Sequence, residues 1–230
     1  MPVNIEIKGN LARLLATENL IVEHKQVETA QFNTETRVLI LPIWDSVSNY
    51  VYDMLVAHEV GHALFTPYTM WKEGKYESLP HSYVNIVEDA RIERLMKNKF
   101  AGLNKDFYKG YEELNANDFF ELNDKNINDM KFIDKINLYF KLGAFLCLEF
   151  NDIENQFITE IAQSETFDEV LDILVALLGC LYEPIVYSIY YTFKIKSCRS
   201  IKLQLLSTNR GLINTDQGIV QVNILTGLNI

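Results

Sequence analysis

The stretch from Val47 to Phe65 constrains the fold most. Read as a helix, it sets Val47, Tyr50, Val51, Met54, Leu55, Val56, Val60, Leu64 and Phe65 around nearly the whole circumference. A helix that is apolar on every side is a buried one. Asp45 or Ser46 can cap its start, and Thr66-Pro67 marks its end. Into this apolar run are set two imidazoles and a carboxylate, His58, Glu59 and His62. Burying three such groups is costly unless each finds a partner, so the fold has to bring partners to them.

His58-Glu59-Val60-Gly61-His62 is an HExxH pentapeptide in a chain with only four histidines. Histidines at i and i+4 lie one turn apart on one helix face, so both rings can reach a single zinc ion at about 2.0–2.1 Å. Glu59 is rotated by about 100° from His58, poorly placed as a ligand but within reach of a water bound to the metal. Zinc lowers the pKa of such a water towards about 7, and a carboxylate can then take its proton. Gly61 costs about 1 kcal/mol relative to alanine in mid-helix, which predicts close packing by another segment.

A hydrolytic zinc site usually has three protein ligands and one open position. The compact HExxHxxGxxH form is absent, since Phe65 and Tyr68 stand where its glycine and last histidine would be. The third ligand is expected on a second helix, which Pro80 opens and which runs to about Lys99. On a helical wheel Glu88 falls among Val84, Ile92 and Leu95, where a carboxylate demands a cation. That makes Glu88 the expected ligand, with Glu93 the alternative; the competing partner for Glu88 is Arg91, three residues on. Asp89 and Asn85 can orient a ligating histidine. His81 is a further candidate, as ligand or as donor to a developing oxyanion.

Around these helices the sequence predicts a short helix over 11–19 and strands within LIVEHKQV and TRVLILPIW, with a turn at Asn33-Thr34. It predicts an acidic, Asn-rich connector over 104–129 and helices over 132–150, 155–162 and 167–181. The apolar run 173–193 is long enough to span a bilayer, but Glu183-Pro184 at its middle argues for a buried helix ending near Tyr182 and a strand-like stretch after it. The last fifty residues reverse the charge balance, with two acids and five bases against 29 and 16 in the first 180. The expected organisation is one domain over 1–180 and an atypical tail or small β-rich appendage over 181–230, as a truncated or frame-shifted gene would leave.

A formal charge of −10 argues against a broad grip on nucleic acid or an anionic membrane. Three widely spaced cysteines, Cys147, Cys180 and Cys198, suggest reduced core thiols rather than a disulfide framework. With no apolar leader in MPVNIEIKGN, the expected setting is cytoplasmic, or the host cytoplasm for a phage-encoded protein.

HEVGHALFTP followed by NIVEDARIE resembles the metallopeptidase domains found beside von Willebrand A-type modules, with relatives in tailed bacteriophages. The resemblance runs from about Arg37 to Met96. It implies an α+β, mainly helical, zincin-like fold with a small N-terminal sheet, an active-site helix and a C-terminal helical region. It also implies a Zn2+ cofactor held by His58, His62 and Glu88, Glu59 as general base, and peptide-bond hydrolysis on a polypeptide substrate. A strand along the cleft is implied to hold that substrate, and Val38, Leu39, Ile40 and Leu41 are its candidates. A von Willebrand A-type partner module is implied too, although residues beyond 180 carry no metal motif of that module. The alternative function is a non-catalytic, zinc-stabilised interaction module, for example in phage assembly.

Overall fold

The computed structural model describes residues 5–18, 20–44, 47–67, 76–182, 202–205, 210–215 and 218–223. The chain divides after Val175 into two compact units, Met1–Val175 and Ala176–Ile230. The first unit is α+β and mainly helical, with one small sheet. Its elements run α1 (Ile5–Ala16), β1 (Ile21–Lys25), β2 (Gln31–Asn33), β3 (Val38–Pro42), α2 (Asn49–Phe65), α3 (His81–Lys99), α4 (Leu103–Ala116), α5 (Phe132–Leu142), α6 (Asp152–Gln163) and the first part of α7 (Phe167–Tyr182), which continues past the boundary at Val175.

The apolar helix anticipated after Val47 is α2, and it is the centre of the unit. Ser48 caps it, its side chain accepting from the Val51 amide; Asp45 and Ser46 lie outside the described residues. Val51, Met54, Val56, Ala57 and Val60 are buried from different directions because α1, α3, α4 and the sheet all pack on α2. The close packing anticipated at Gly61 comes from α3. A Cβ there would stand 3.1 Å from Met96 Cγ and 3.2 Å from Ile92 Cδ1. α4 approaches as closely on another side, where a Cβ on Gly110 would stand 2.8 Å from Met54 Sδ. The two glycines thus let α3 and α4 bring their side chains up to the polar end of α2.

The sheet has the order β1-β3-β2, with β1 parallel and β2 antiparallel to β3. Leu39 and Leu41 of β3 point into the core, and Tyr52 of α2 donates to the Pro42 carbonyl at 2.5 Å, fixing the strand's end against the helix. The turn expected at Asn33-Thr34 joins β2 to β3, with Asn33 Oδ1 accepting from the amides of Glu35 and Thr36. This topology corrects the assignment of Val38, Leu39, Ile40 and Leu41 as a substrate-binding strand. Each of the four is paired with β1 and Val38–Ile40 also with β2, so the strand's backbone is committed to its own sheet.

Other expectations change too: the helix expected over 132–150 ends at Leu142. The segment over 104–129 is not a plain connector, because its first half forms α4. Leu103, Phe107, Tyr111 and Leu114 repeat at helical spacing and are all buried. Cys147 is exposed rather than a core thiol, while the side chains of Cys180 and Cys198 lie outside the description.

In the second unit, β4 (Lys202–Leu205), β5 (Arg210–Thr215) and β6 (Gly218–Asn223) form an antiparallel sheet in sequence order. The strand-like stretch expected after Tyr182 lies outside the described residues. Among the described residues no helix is long and apolar enough to cross a membrane.

Candidate metal centre

α2 and α3 bring His58, His62 and Asp89 together. His58 Nε2 lies 3.5 Å and His62 Nε2 3.2 Å from the same oxygen, Asp89 Oδ1. The three donor atoms converge closely enough to share one metal ion. The other nitrogen of each ring is held from behind. His58 Nδ1 is 3.0 Å from Glu93 Oε1, and His62 Nδ1 is 3.0 Å from Thr66 Oγ1.

The hydrogen-bond directions fix the tautomers. Thr66 gives its hydroxyl proton to Glu88 Oε1 at 2.5 Å, so its oxygen accepts from His62 Nδ1–H. Burial would raise Glu93, but the hydrogen bond and charge of His58 hold it below the ordinary glutamate value, so it stays a carboxylate and can only accept. It receives both the His58 ring and the Tyr111 hydroxyl, the latter at 2.5 Å. Both Nδ1 atoms are therefore donors, and in the neutral rings both Nε2 atoms present lone pairs. Two lone pairs facing one carboxylate oxygen repel unless a cation, either protons or a metal ion, lies among them.

The structure thus divides the candidate acids differently from the expectation. Asp89 is the carboxylate that converges on the two histidines. Glu93 orients His58. Glu88, the expected third ligand, is 1% exposed and forms a two-pronged ion pair with Arg91, which is 2% exposed, at 2.7 and 2.6 Å. It lines the same cavity and is tied to the His62 ring through Thr66. The physical reason is that α3 is buried on more than one face. Ile92 and Met96, which pack on Gly61 of α2, are centred on the line of Asn85; Asp89 lies about 40° to one side of that line, towards the histidines, and Glu88 about 60° to the other, where Arg91 meets it. Arg91 completes the buried cluster by donating to the carbonyls of Phe65, at the end of α2, and Glu165.

Glu59 is buried 7% exposed beside the histidines and lines a cavity of about 640 Å3. Burial raises its pKa above the ordinary value of 4.5, with His58 and His62 pulling the other way. The same cavity is lined by Gln31, Phe32 and Asn33 of β2, and by His81 and Asn85 at the start of α3. Two residues at the site carry no signal in the sequence reading. Lys141 of α5 places Nζ 2.8 Å from Asp89 Oδ2, and Tyr111 of α4 supports Glu93.

Charge ties these groups together. Burial alone would lower His58, but the charge of Asp89 and the hydrogen bonds that the ring donates to Asp89 and Glu93 raise it to about 10. Burial would raise Asp89, whereas His58 and Lys141 hold it well below the ordinary carboxylate range. In the metal-free protein the raised His58 stabilises fully below its ordinary 6.5 and loses that contribution as pH climbs to about 10. The depressed Asp89 and Glu93 contribute above their ordinary 3.8 and 4.5 and lose it on acidification. Metal-free protein is therefore expected to melt at lower temperature as pH rises from 6.5 towards 10. Metal affinity is expected to run the opposite way, strengthening roughly tenfold per pH unit as His58 gives up its proton. Thermal melts and zinc competition titrations across that range check both signs, and parallel trends would contradict the assignment.

No protein-family model, curated protein or solved structure matches this chain.

Proposed function

We propose that the chain is a zincin-like, zinc-dependent peptidase that hydrolyses polypeptide. The observation that carries the reading is the convergence of two Nε2 atoms and one carboxylate oxygen, each ring held at Nδ1 by an acceptor behind it. Two imidazoles and one carboxylate are the donor set of many hydrolytic zinc sites, and outer partners at the second nitrogen are their usual companions.

His58, His62 and Asp89 would hold the ion. When bound, zinc supplies Lewis acidity, polarising a carbonyl and lowering the pKa of water towards about 7. Glu59 takes the proton of the attacking water and delivers it to the leaving nitrogen, a role that its raised pKa favours. Glu93 and Thr66 keep the rings aimed. Extended polypeptide is held by β2, the outer strand on the cavity side, whose Gln31, Phe32 and Asn33 line the cavity; backbone pairing there makes little demand on sequence. His81, also at the cavity, is the candidate donor to the developing oxyanion.

The test is cleavage of an unfolded polypeptide followed by mass spectrometry. Activity is expected to disappear with a zinc chelator and to return on addition of about one equivalent of Zn2+. Cleavage that persists undiminished after the metal is stripped would contradict the proposal.

A further inference from the structure

Lys141 is the group at the site that the proposed chemistry leaves without a task. It sits near the end of α5, in the apolar run Leu138-Tyr139-Phe140-Lys141-Leu142, with its side chain turned inward to line the cavity. Its Nζ lies 2.8 Å from Asp89 Oδ2. The two oxygens of Asp89 are therefore divided: Oδ1 faces the imidazoles, and Oδ2 is taken by an ammonium.

We propose that Lys141 is a positioning residue that restricts Asp89 to single-oxygen ligation and so tunes the centre for a small, four-coordinate divalent ion. The inference rests on the metal-site reading above. A carboxylate with both oxygens available can chelate, which raises the coordination number and suits larger, oxygen-preferring ions such as Ca2+ and Mn2+. A fixed positive charge on Oδ2 closes that edge to a cation. It also lowers the net negative charge of the donor set, and oxygen-preferring ions lose most by that. The ammonium is not readily displaced, because leaving a buried lysine unpaired is costly.

The experiment has two arms. X-ray absorption on the zinc-loaded wild-type protein is expected to give four nitrogen and oxygen neighbours at about 2.0–2.1 Å; five or six, with a two-oxygen carboxylate, would overturn the inference. Competition titrations then compare Zn2+ with Mn2+. Lys141→Met is expected to lower the zinc-over-manganese preference about tenfold, while Lys141→Arg keeps it within about twofold. A purely structural lysine would weaken both ions together, so an unchanged ratio in folded Lys141→Met would overturn the inference. Should that variant fail to fold, the wild-type coordination number and the Lys141→Arg ratio decide. A wild-type protein that binds neither ion would overturn the metal-site reading itself, a result distinct from bound zinc with the wrong coordination number.

Discussion

Glu88→Ala is expected to cost about 3–5 kcal/mol of stability, the largest loss for any single carboxylate near the site. The reason is the partner it leaves behind. Arg91 is almost fully buried and gives two of its donors to Glu88, at 2.7 and 2.6 Å. Without that carboxylate a guanidinium remains in the interior, where the acceptors left to it among the described residues are the carbonyls of Phe65 and Glu165. Thr66 loses its acceptor at the same time, and the His62 ring loses the fixed hydroxyl behind it. For a unit of this size the melting temperature should fall by roughly 6–20 °C. Removing both partners with Glu88→Leu/Arg91→Leu should cost less than the sum of the single changes, because no charge is left unpaired. Thermal denaturation of the metal-free proteins checks this directly. A melting temperature for Glu88→Ala within a degree or two of the wild type would show that Glu88 has no such structural role.

Glu59→Gln should have the opposite profile. Glu59 is not one of the three residues whose donor atoms converge, and glutamine keeps its shape, so zinc stoichiometry and melting temperature should stay close to the wild type. Hydrolysis should fall by about 10²–10⁴-fold, the usual contribution of a positioned general base. The amide has nearly the same shape but cannot accept the water's proton. The loss should fall on kcat rather than KM, since Glu59 acts on the reacting water rather than in holding the polypeptide. Unchanged turnover in a folded, zinc-loaded Glu59→Gln protein would remove the base from the mechanism. It would favour an interaction module that uses zinc only for stability.

Part of this site is legible in the sequence and part is not. The pentapeptide in α2 was legible because two periodicities coincide there, the apolar wrap of the helix and the one-turn spacing of His58 and His62. The role of Gly61 followed from the same logic, since an unfavourable residue in a well-formed helix signals a close neighbour. The third donor was not legible for a definite reason. Glu88 and Asp89 are adjacent and both acidic, and only the facing direction of α3 separates them. Choosing the most apolar stripe as the face towards α2 fails when a helix is buried on several sides, as α3 is at Val84, Val87, Ala90, Ile92 and Met96. A better signal was available. Asn85, Asp89 and Glu93 repeat every four residues, a polar line on a helix whose other faces are largely buried.

Thr66 was readable only as a helix end, although its position four residues after His62 places it beneath that ring. α4 was obscured by its Asn-rich and acidic composition, which hid the spacing of Leu103, Phe107, Tyr111 and Leu114. Nothing local could have singled out Lys141. It lies 52 residues from Asp89, and a lysine late in an amphipathic helix normally belongs to solvent. The outer strand β2 is three residues long, too short for alternation to register, yet it displaces the stronger strand β3 as the sheet's border with the cavity.

The most direct measurement is zinc per chain after equilibrium dialysis, made side by side on wild type, Glu88→Gln and Asp89→Asn. Convergence of His58, His62 and Asp89 on one ion predicts about one zinc for the wild type and for Glu88→Gln. For Asp89→Asn it predicts affinity weakened by more than about 100-fold. Full zinc in Asp89→Asn with loss in Glu88→Gln, or no zinc in the wild type, would contradict it.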